Sequence, residues 1–307
     1  MPDRIKQRQI FSLTLLLLTT LPLAAQEWTR FRGPNGSGIS PETSIPVHLD
    51  KENILWTAKL PGSGHSSPVL WGETAFLTGA DDTDSSSRTI LAVDARNGDI
   101  KWSREYPFES HKKHSFNSFS SPTCTVDADR VYSIWSSPEN LTVIALDHSG
   151  KDLWKRDLGK YVCRHSAGSS PILFGDLLIF SAEQDEEGGG VGSLMALDVQ
   201  TGESRWNVPR ESKHVPYSTP FIFQLPGRDP QILFNSMPHG VSSFDPRTGA
   251  LQWELSDLII RRPVGSGFIL NDKWITATCG FGNGGVYMVI VAPPDGSPDS
   301  KPQLVRK

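Results

Sequence analysis

The sequence predicts an all-β chain folded as a β-propeller of four-stranded antiparallel blades, and three observations carry that prediction. Tryptophan recurs at Trp56, Trp102, Trp154, Trp206 and Trp253, at spacings of 46, 52, 52 and 47 residues. Ser66-Ser67-Pro68, Ser120-Ser121-Pro122, Ser169-Ser170-Pro171 and Ser218-Thr219-Pro220 recur in phase with it, their prolines 54, 49 and 49 residues apart. Each interval between markers is filled by short β-branched and aromatic runs separated by turn residues. A fixed period near fifty with strand-type content is the signature of a radial array of four-stranded sheets.

The elements follow in chain order. Arg4, Lys6 and Arg8 precede an apolar run from Ile10 to Leu23, and Leu23-Ala24-Ala25 supplies small residues for cleavage. Residues 1–25 therefore read as a secretory signal peptide, which places the mature chain in the periplasm or outside the cell. Thr19, Thr20 and Pro22 interrupt the run, which is shorter than the ~20 apolar residues a span needs, so no membrane span is expected after cleavage. No cysteine adjoins the cleavage site, so a lipid anchor is not expected. Residues 26–58 form an N-terminal segment in which Asn53–Lys59 has the pattern of an outermost strand with no blade before it, a strand able to close a ring.

Residues 59–307 carry the repeats. In the span 168–208, Pro171–Phe174, Leu177–Ser181, Ser193–Asp198 and Ser204–Val208 read as four strands, with Gly175-Asp176 as the first hairpin turn. Proline cannot donate to a sheet ladder, so each Ser-Ser-Pro belongs at the start of an innermost, edge strand. The tryptophan falls on the fourth, outermost strand, where a large ring covers the seam to the next blade; burying it contributes roughly 3 kcal/mol. Four blades are complete. The fifth begins at Gly265-Ser266-Gly267 and ends near Gln303–Val305 with no closing tryptophan, so an incomplete ring is expected.

The phrase Ala-x-Asp-x-x-x-Gly-x-x-x-Trp recurs as Ala92…Trp102, Ala196…Trp206 and, with Ser at its head, Ser243…Trp253; the copy Ala145…Trp154 is one residue short. It resembles the tryptophan-docking motif of the PQQ-like (pyrroloquinoline quinone) repeat propellers. Trp28-Thr-Arg-Phe31-Arg32-Gly33-Pro34-Asn-Gly36 is similar to the opening of a group of exported bacterial members, and the propeller protein of the outer-membrane BAM complex is the nearest functional analogue. The resemblance runs from Trp28 to the C-terminus and implies a longer chain with more blades, relative to which this one is C-terminally truncated. It also implies, for the dehydrogenases that share the motif, a PQQ cofactor, a calcium ion held by acidic and amide side chains, an adjacent cysteine pair and a catalytic Asp.

Chemistry-bearing residues are sparse. Cys124, Cys163 and Cys279 are odd in number and far apart, which suits buried small side chains and supplies neither a Cys-Cys pair nor a haem-attachment motif. No acidic residue maps onto the calcium or catalytic positions of the dehydrogenases, so no catalytic residue and no metal ligand are assigned. Asp81–Asp84 and Glu183–Gly188 lack calcium-loop spacing and read as solvated turns. The net charge of −4 gives no reason to expect nucleic acid.

The inter-blade loops are basic. His65, Lys113, His114, Arg164, His165, Lys213, His214, Arg261 and Arg262 are the candidate ligand-binding residues, with Arg210 nearby in the same pattern. In a propeller these loops share one face and would line the axis, where convergent Arg, Lys and His suit a carboxylate or phosphate; the alternative is a set of solvated surface charges. The expected function is an exported, non-catalytic binding or scaffold propeller for a protein, peptide or surface polymer, with no resident cofactor. The alternative is a PQQ-dependent oxidoreductase, or a remnant of one, with calcium only if PQQ is bound.

Overall fold

The computed structural model describes residues 27–81, 87–187, 189–280 and 285–307. The expected signal peptide lies outside them, as do Asp82–Asp84 and Gly188 of the two acidic loops. Among the described residues twenty strands form five antiparallel four-stranded sheets. The first sheet holds β1 (Val69–Trp71), β2 (Thr74–Ala80), β3 (Ser87–Asp94) and β4 (Ile100–Pro107). The second holds β5 (Thr125–Val126), β6 (Arg130–Ser136), β7 (Leu141–Asp147) and β8 (Asp152–Asp157). The third holds β9 (Ile172–Phe174), β10 (Leu177–Ser181), β11 (Gly192–Asp198) and β12 (Ser204–Arg210). The fourth holds β13 (Phe221–Phe223), β14 (Gln231–Ser236), β15 (Gly240–Phe244) and β16 (Leu251–Leu255). The fifth holds β17 (Ile269–Leu270), β18 (Trp274–Cys279), β19 (Tyr287–Ala292) and β20 (Gln303–Arg306).

The middle strands of the second, third and fourth sheets are buried along nearly their whole length, because a neighbouring sheet covers each face. β10 and β15 are buried at every residue, whereas the outermost β4 and β8 are mostly exposed. This is why the middle strands read as continuous apolar runs and the outer ones alternate.

Each part of the tryptophan phrase has a physical role. The small residue pairs across the ladder with the tryptophan of its own sheet, as Ala92 with Trp102, Ala145 with Trp154, Ala196 with Trp206 and Ser243 with Trp253, and the register slips immediately after it. The Asp carboxylate accepts backbone N–H groups of the following turn, at Arg96, Ser149, Gln200 and Arg247. The Gly then takes a positive φ of 70–83° at Gly98, Gly150, Gly202 and Gly249, and the tryptophan preceding it by one repeat, Trp56, Trp102, Trp154 or Trp206, packs its indole against it. The indole Nε1–H of Trp56, Trp102, Trp154 and Trp206 donates to the carbonyl of the residue after that Asp, at 2.8–3.1 Å. Trp206 and Trp253 are buried, and Trp102 and Trp154 are half-buried.

The fifth sheet replaces this device. Arg306 stands opposite Ile290, where a tryptophan would stand, and the Gly296 turn carries the guanidinium of Arg228. Trp253 accordingly donates within its own sheet, to Gln231 Oε1 at 2.9 Å. The expected closing strand at 53–59 is not formed; Trp56 instead docks on the first sheet, which fixes the segment while leaving Leu55 exposed. Among the described residues no backbone pairing or tryptophan docking joins the fifth sheet to the first, and no closed ring is seen.

The second marker also has a role. Backbone N–H groups of one sheet's entry donate to hydroxyls of the next: Ser67 to Thr123, Thr123 to Ser170, Ser170 to Thr219 and Thr219 to Ser266, at 2.9–3.2 Å. A relay thus runs through all five sheets. In the second repeat Thr123 takes the place expected of Ser121, so the Ser-Ser-Pro marker is out of register there by two residues.

Residues 28–36 enter the centre of the array. Trp28 O accepts from Leu70 N and Thr29 O from Val126 N, while Asn35 exchanges two hydrogen bonds with the Ile222 backbone. Arg30 is buried and donates to Pro220 O at 2.5 Å. Loss of hydration pulls its guanidinium down to about 9. One loop therefore touches the innermost strands of the first, second and fourth sheets.

Candidate functional site

A cavity of about 600 Å³ opens where the inter-sheet loops meet this N-terminal loop. His65 enters from the loop before β1, His114 from the loop between β4 and β5, and Arg164 with His165 from the loop between β8 and β9. His214 enters from the loop between β12 and β13, and Arg261 with Arg262 from the loop between β16 and β17. Successive sheets thus deliver one basic group or pair each. Of the nine basic residues singled out in the sequence, these seven line the cavity. Lys113 instead sets its ammonium 5.4 Å from the Phe119 ring centroid, and Lys213 is exposed. Arg210, from the same loop pattern, is buried against Glu183 at 3.1 Å and Ser242 Oγ at 2.6 Å, away from the face.

The wall is organised by a carboxylate. Asp185 is buried and accepts from the backbone N–H groups of Arg164 at 2.7 Å and Val215 at 3.1 Å, and from Arg262 Nη2 at 2.8 Å. His214 Nδ1 lies 3.3 Å from it. Burial pushes this carboxyl up, but the Arg164 N–H, the Arg262 charge, the Val215 N–H and His214 together hold it below the ordinary aspartate range. The second acidic loop is therefore not a solvated turn: Glu183 and Asp185 are buried ion-pair partners, because their loop folds inward under Arg210 and Arg262.

Aromatic contacts set the arginine planes. Arg262 lies 5.4 Å over the Tyr217 ring, and Gly168 has no side chain to collide with that ring. His165 and His114 meet edge to face at 5.4 Å between ring centroids. Burial, then the charges of Arg262 and His114, hold the His165 imidazole below its ordinary value. The adjacent Ser166 has φ 71°, an outlier for a residue with a side chain. Cys163, beside Asp185, is pushed up to about 12 by burial and is an unreactive thiol. Among the described residues no group of three or more His, Cys, Asp or Glu is disposed to hold a metal ion.

Phe31, Arg32, Phe116, Asn117 and Tyr217 also line the cavity and were not singled out from the sequence. For Phe31 and Arg32 a signal existed, since both lie in a glycine-rich phrase dense enough to mark a built loop. Together the cavity wall carries four guanidiniums, four imidazoles and three aromatic rings.

Over residues 47–132 and 88–258 the chain matches the PQQ-like repeat family described as outer membrane protein assembly factor BamB. The chain belongs to this family. Solved structures agree on the fold. BamB from Moraxella catarrhalis is 16% identical, with a TM-score of 0.50 over 82% of this chain and 66% of its own. A europium-containing methanol dehydrogenase is 13% identical, with a TM-score of 0.61 over 92% and 58%. The quinohemoprotein alcohol dehydrogenase from Comamonas testosteroni is 15% identical, with a TM-score of 0.56 over 88% and 46%. This family member thus spans less than two thirds of each of these structures, and identities this low speak to fold alone. No curated protein matches the chain at a significant level.

Proposed function

We propose that this propeller is an exported, non-catalytic binding protein that takes an anionic group of a partner protein, peptide or surface polymer into its axial cavity. The observation that carries this reading is the convergence of Arg32, Arg164, Arg261, Arg262 and four histidines on one apolar-walled cavity. Guanidinium and imidazolium groups recognise carboxylate and phosphate by charge and by paired hydrogen bonds. The signal-like sequence of residues 1–25 supports a periplasmic or secreted location, and the family supports a protein partner.

A second reading, a PQQ-dependent oxidoreductase, draws on the same donor set, because PQQ is a polycarboxylate. The cavity's arginines and histidines fit those carboxylates. The rest of the dehydrogenase apparatus does not fit: Asp185 is already taken by Arg262, His214 and two backbone N–H groups, and Cys163 has no adjacent cysteine. Titration with PQQ, followed by its absorbance with and without calcium, separates the two readings when paired with a dye-reduction assay on alcohols and sugars. Salt-sensitive anion binding with no dye reduction is the expected result. Dye reduction by the PQQ-loaded protein would overturn the non-catalytic reading.

A further inference from the structure

We infer that Arg32 is the anchor for the bound anion, with Arg261 as its second arm, and that the anion is a carboxylate carried on an apolar or aromatic body. The inference rests on the anion-binding reading above. The four cavity arginines are not equivalent. Arg164 is ion-paired with Glu187, and Arg262 is held by Asp185 at 2.8 Å and by the Tyr217 hydroxyl at 3.4 Å. Among the described residues neither Arg32 nor Arg261 has a carboxylate partner. Arg261 is exposed, and Arg32 is half-buried inside the array.

The backbone of Arg32 adds an independent observation. Its φ is 62°, in the left-handed region that costs a side-chain-bearing residue about 1–2 kcal/mol. Its carbonyl accepts from Gly38 N at 2.8 Å, and its guanidinium rests beside Gly38, where an added Cβ would stand 3.1 Å from Nη2. The same guanidinium lies 5.9 Å from the Phe268 centroid. Docking of the loop depends on other residues: Trp28 and Thr29 through their carbonyls, Arg30 through Pro220 and Asn35 through Ile222. Glycine or asparagine would fold this turn at lower cost. A strained position that puts a cation without a carboxylate partner on a cavity wall points to function. Phe31, Phe116, Tyr217 and Val264 supply the apolar surface, which favours a ring-bearing carboxylate over a bare phosphate.

The test uses the full chain, calorimetric titration with benzene-1,3,5-tricarboxylate and with pyrophosphate, and thermal melting. Asparagine tolerates the left-handed backbone. Arg32→Asn should therefore melt at or slightly above the wild-type temperature while its affinity for the tricarboxylate falls about 10- to 100-fold, the worth of a charge-assisted hydrogen-bonded contact. Arg32→Lys should recover part of that loss. Unchanged affinity in Arg32→Asn overturns the inference alone, and so does a melting temperature lowered by more than a few degrees, which would make Arg32 a structural residue. Pyrophosphate binding without tricarboxylate binding overturns the carboxylate assignment. Failure of the wild type to bind either probe overturns the anion-binding reading and the inference with it.

Discussion

Gly202 and Gly175 lie in the same sheet and both have positive φ, 70° and 58°. They differ in surroundings. A Cβ on Gly202 would stand 2.7 Å from Trp154 Cε3 and 2.8 Å from Cδ2, whereas a Cβ on Gly175 would meet nothing within 4 Å. Gly175→Ala therefore carries only the left-handed backbone cost, about 1–2 kcal/mol. Gly202→Ala carries that cost plus displacement of a packed indole, about 1–3 kcal/mol more. The expected totals are about 1–2 and about 2–5 kcal/mol. Urea unfolding followed by tryptophan fluorescence measures both. Placing Gly202→Ala in a Trp154→Ala background removes the collision, so the glycine penalty should shrink to its backbone part, a coupling of about 1–3 kcal/mol. Equal penalties at Gly202 and Gly175, or a Gly202 penalty unchanged without Trp154, would refute the docking argument.

Trp206→Ala should cost about 3–5 kcal/mol by opening a cavity at the third seam, measurable in the same unfolding assay; a loss below about 1 kcal/mol would mean the ring is not packed there. Thr219→Val keeps the shape but removes the acceptor of the buried Ser170 N–H, 3.2 Å away, and should cost about 1–3 kcal/mol. Replacing Arg164 and Arg262 together with Gln should weaken anion binding and its salt dependence, since exposed charges are screened beyond about 8–10 Å. The same changes at Lys155 and Arg156, on the outer β8, should leave both unaltered. Asp185 titrates below the ordinary aspartate range, so its stabilising effect is present above that range and disappears as pH falls through it. Asp185→Asn should accordingly flatten the loss of melting temperature below about pH 4, the ordinary aspartate value. An acid limb of unchanged steepness would show that this carboxylate does not stabilise the fold.

The repeats were legible because each marker answers a local demand. Glycine is needed for a left-handed turn under an indole, aspartate for the turn's N–H groups, and a small residue opposite the tryptophan. Where another residue meets the same demand, the pattern misleads. Thr123 accepts the relay hydrogen bond although the marker places Ser121 before the proline, and Arg228 covers the Gly296 turn in place of a tryptophan. Seven of the nine basic loop residues line the cavity, because each repeat sends the loop between its outer and the next inner strand to the same place. Charge alone did not reveal which cations are already paired. Arg210 and Arg262 read alike in the sequence, yet one is buried on Glu183 and the other lines the cavity on Asp185. Arg32 was read only as part of the opening motif, because its loop reaches the site from outside the repeat and belongs to no period.

That same loop imposes an order of events during folding. Arg30 and Asn35 bond to Pro220 and Ile222, across sequence separations of 190 and 187 residues. Contacts so distant in sequence form late because of the chain entropy they must overcome. The contacts that seal the centre of the array are therefore late ones, and pulse-labelled hydrogen exchange should find the Ile222 amide, which donates to Asn35, protected later than those of β10 and β11. A ligand present before that moment meets a centre not yet closed by the loop.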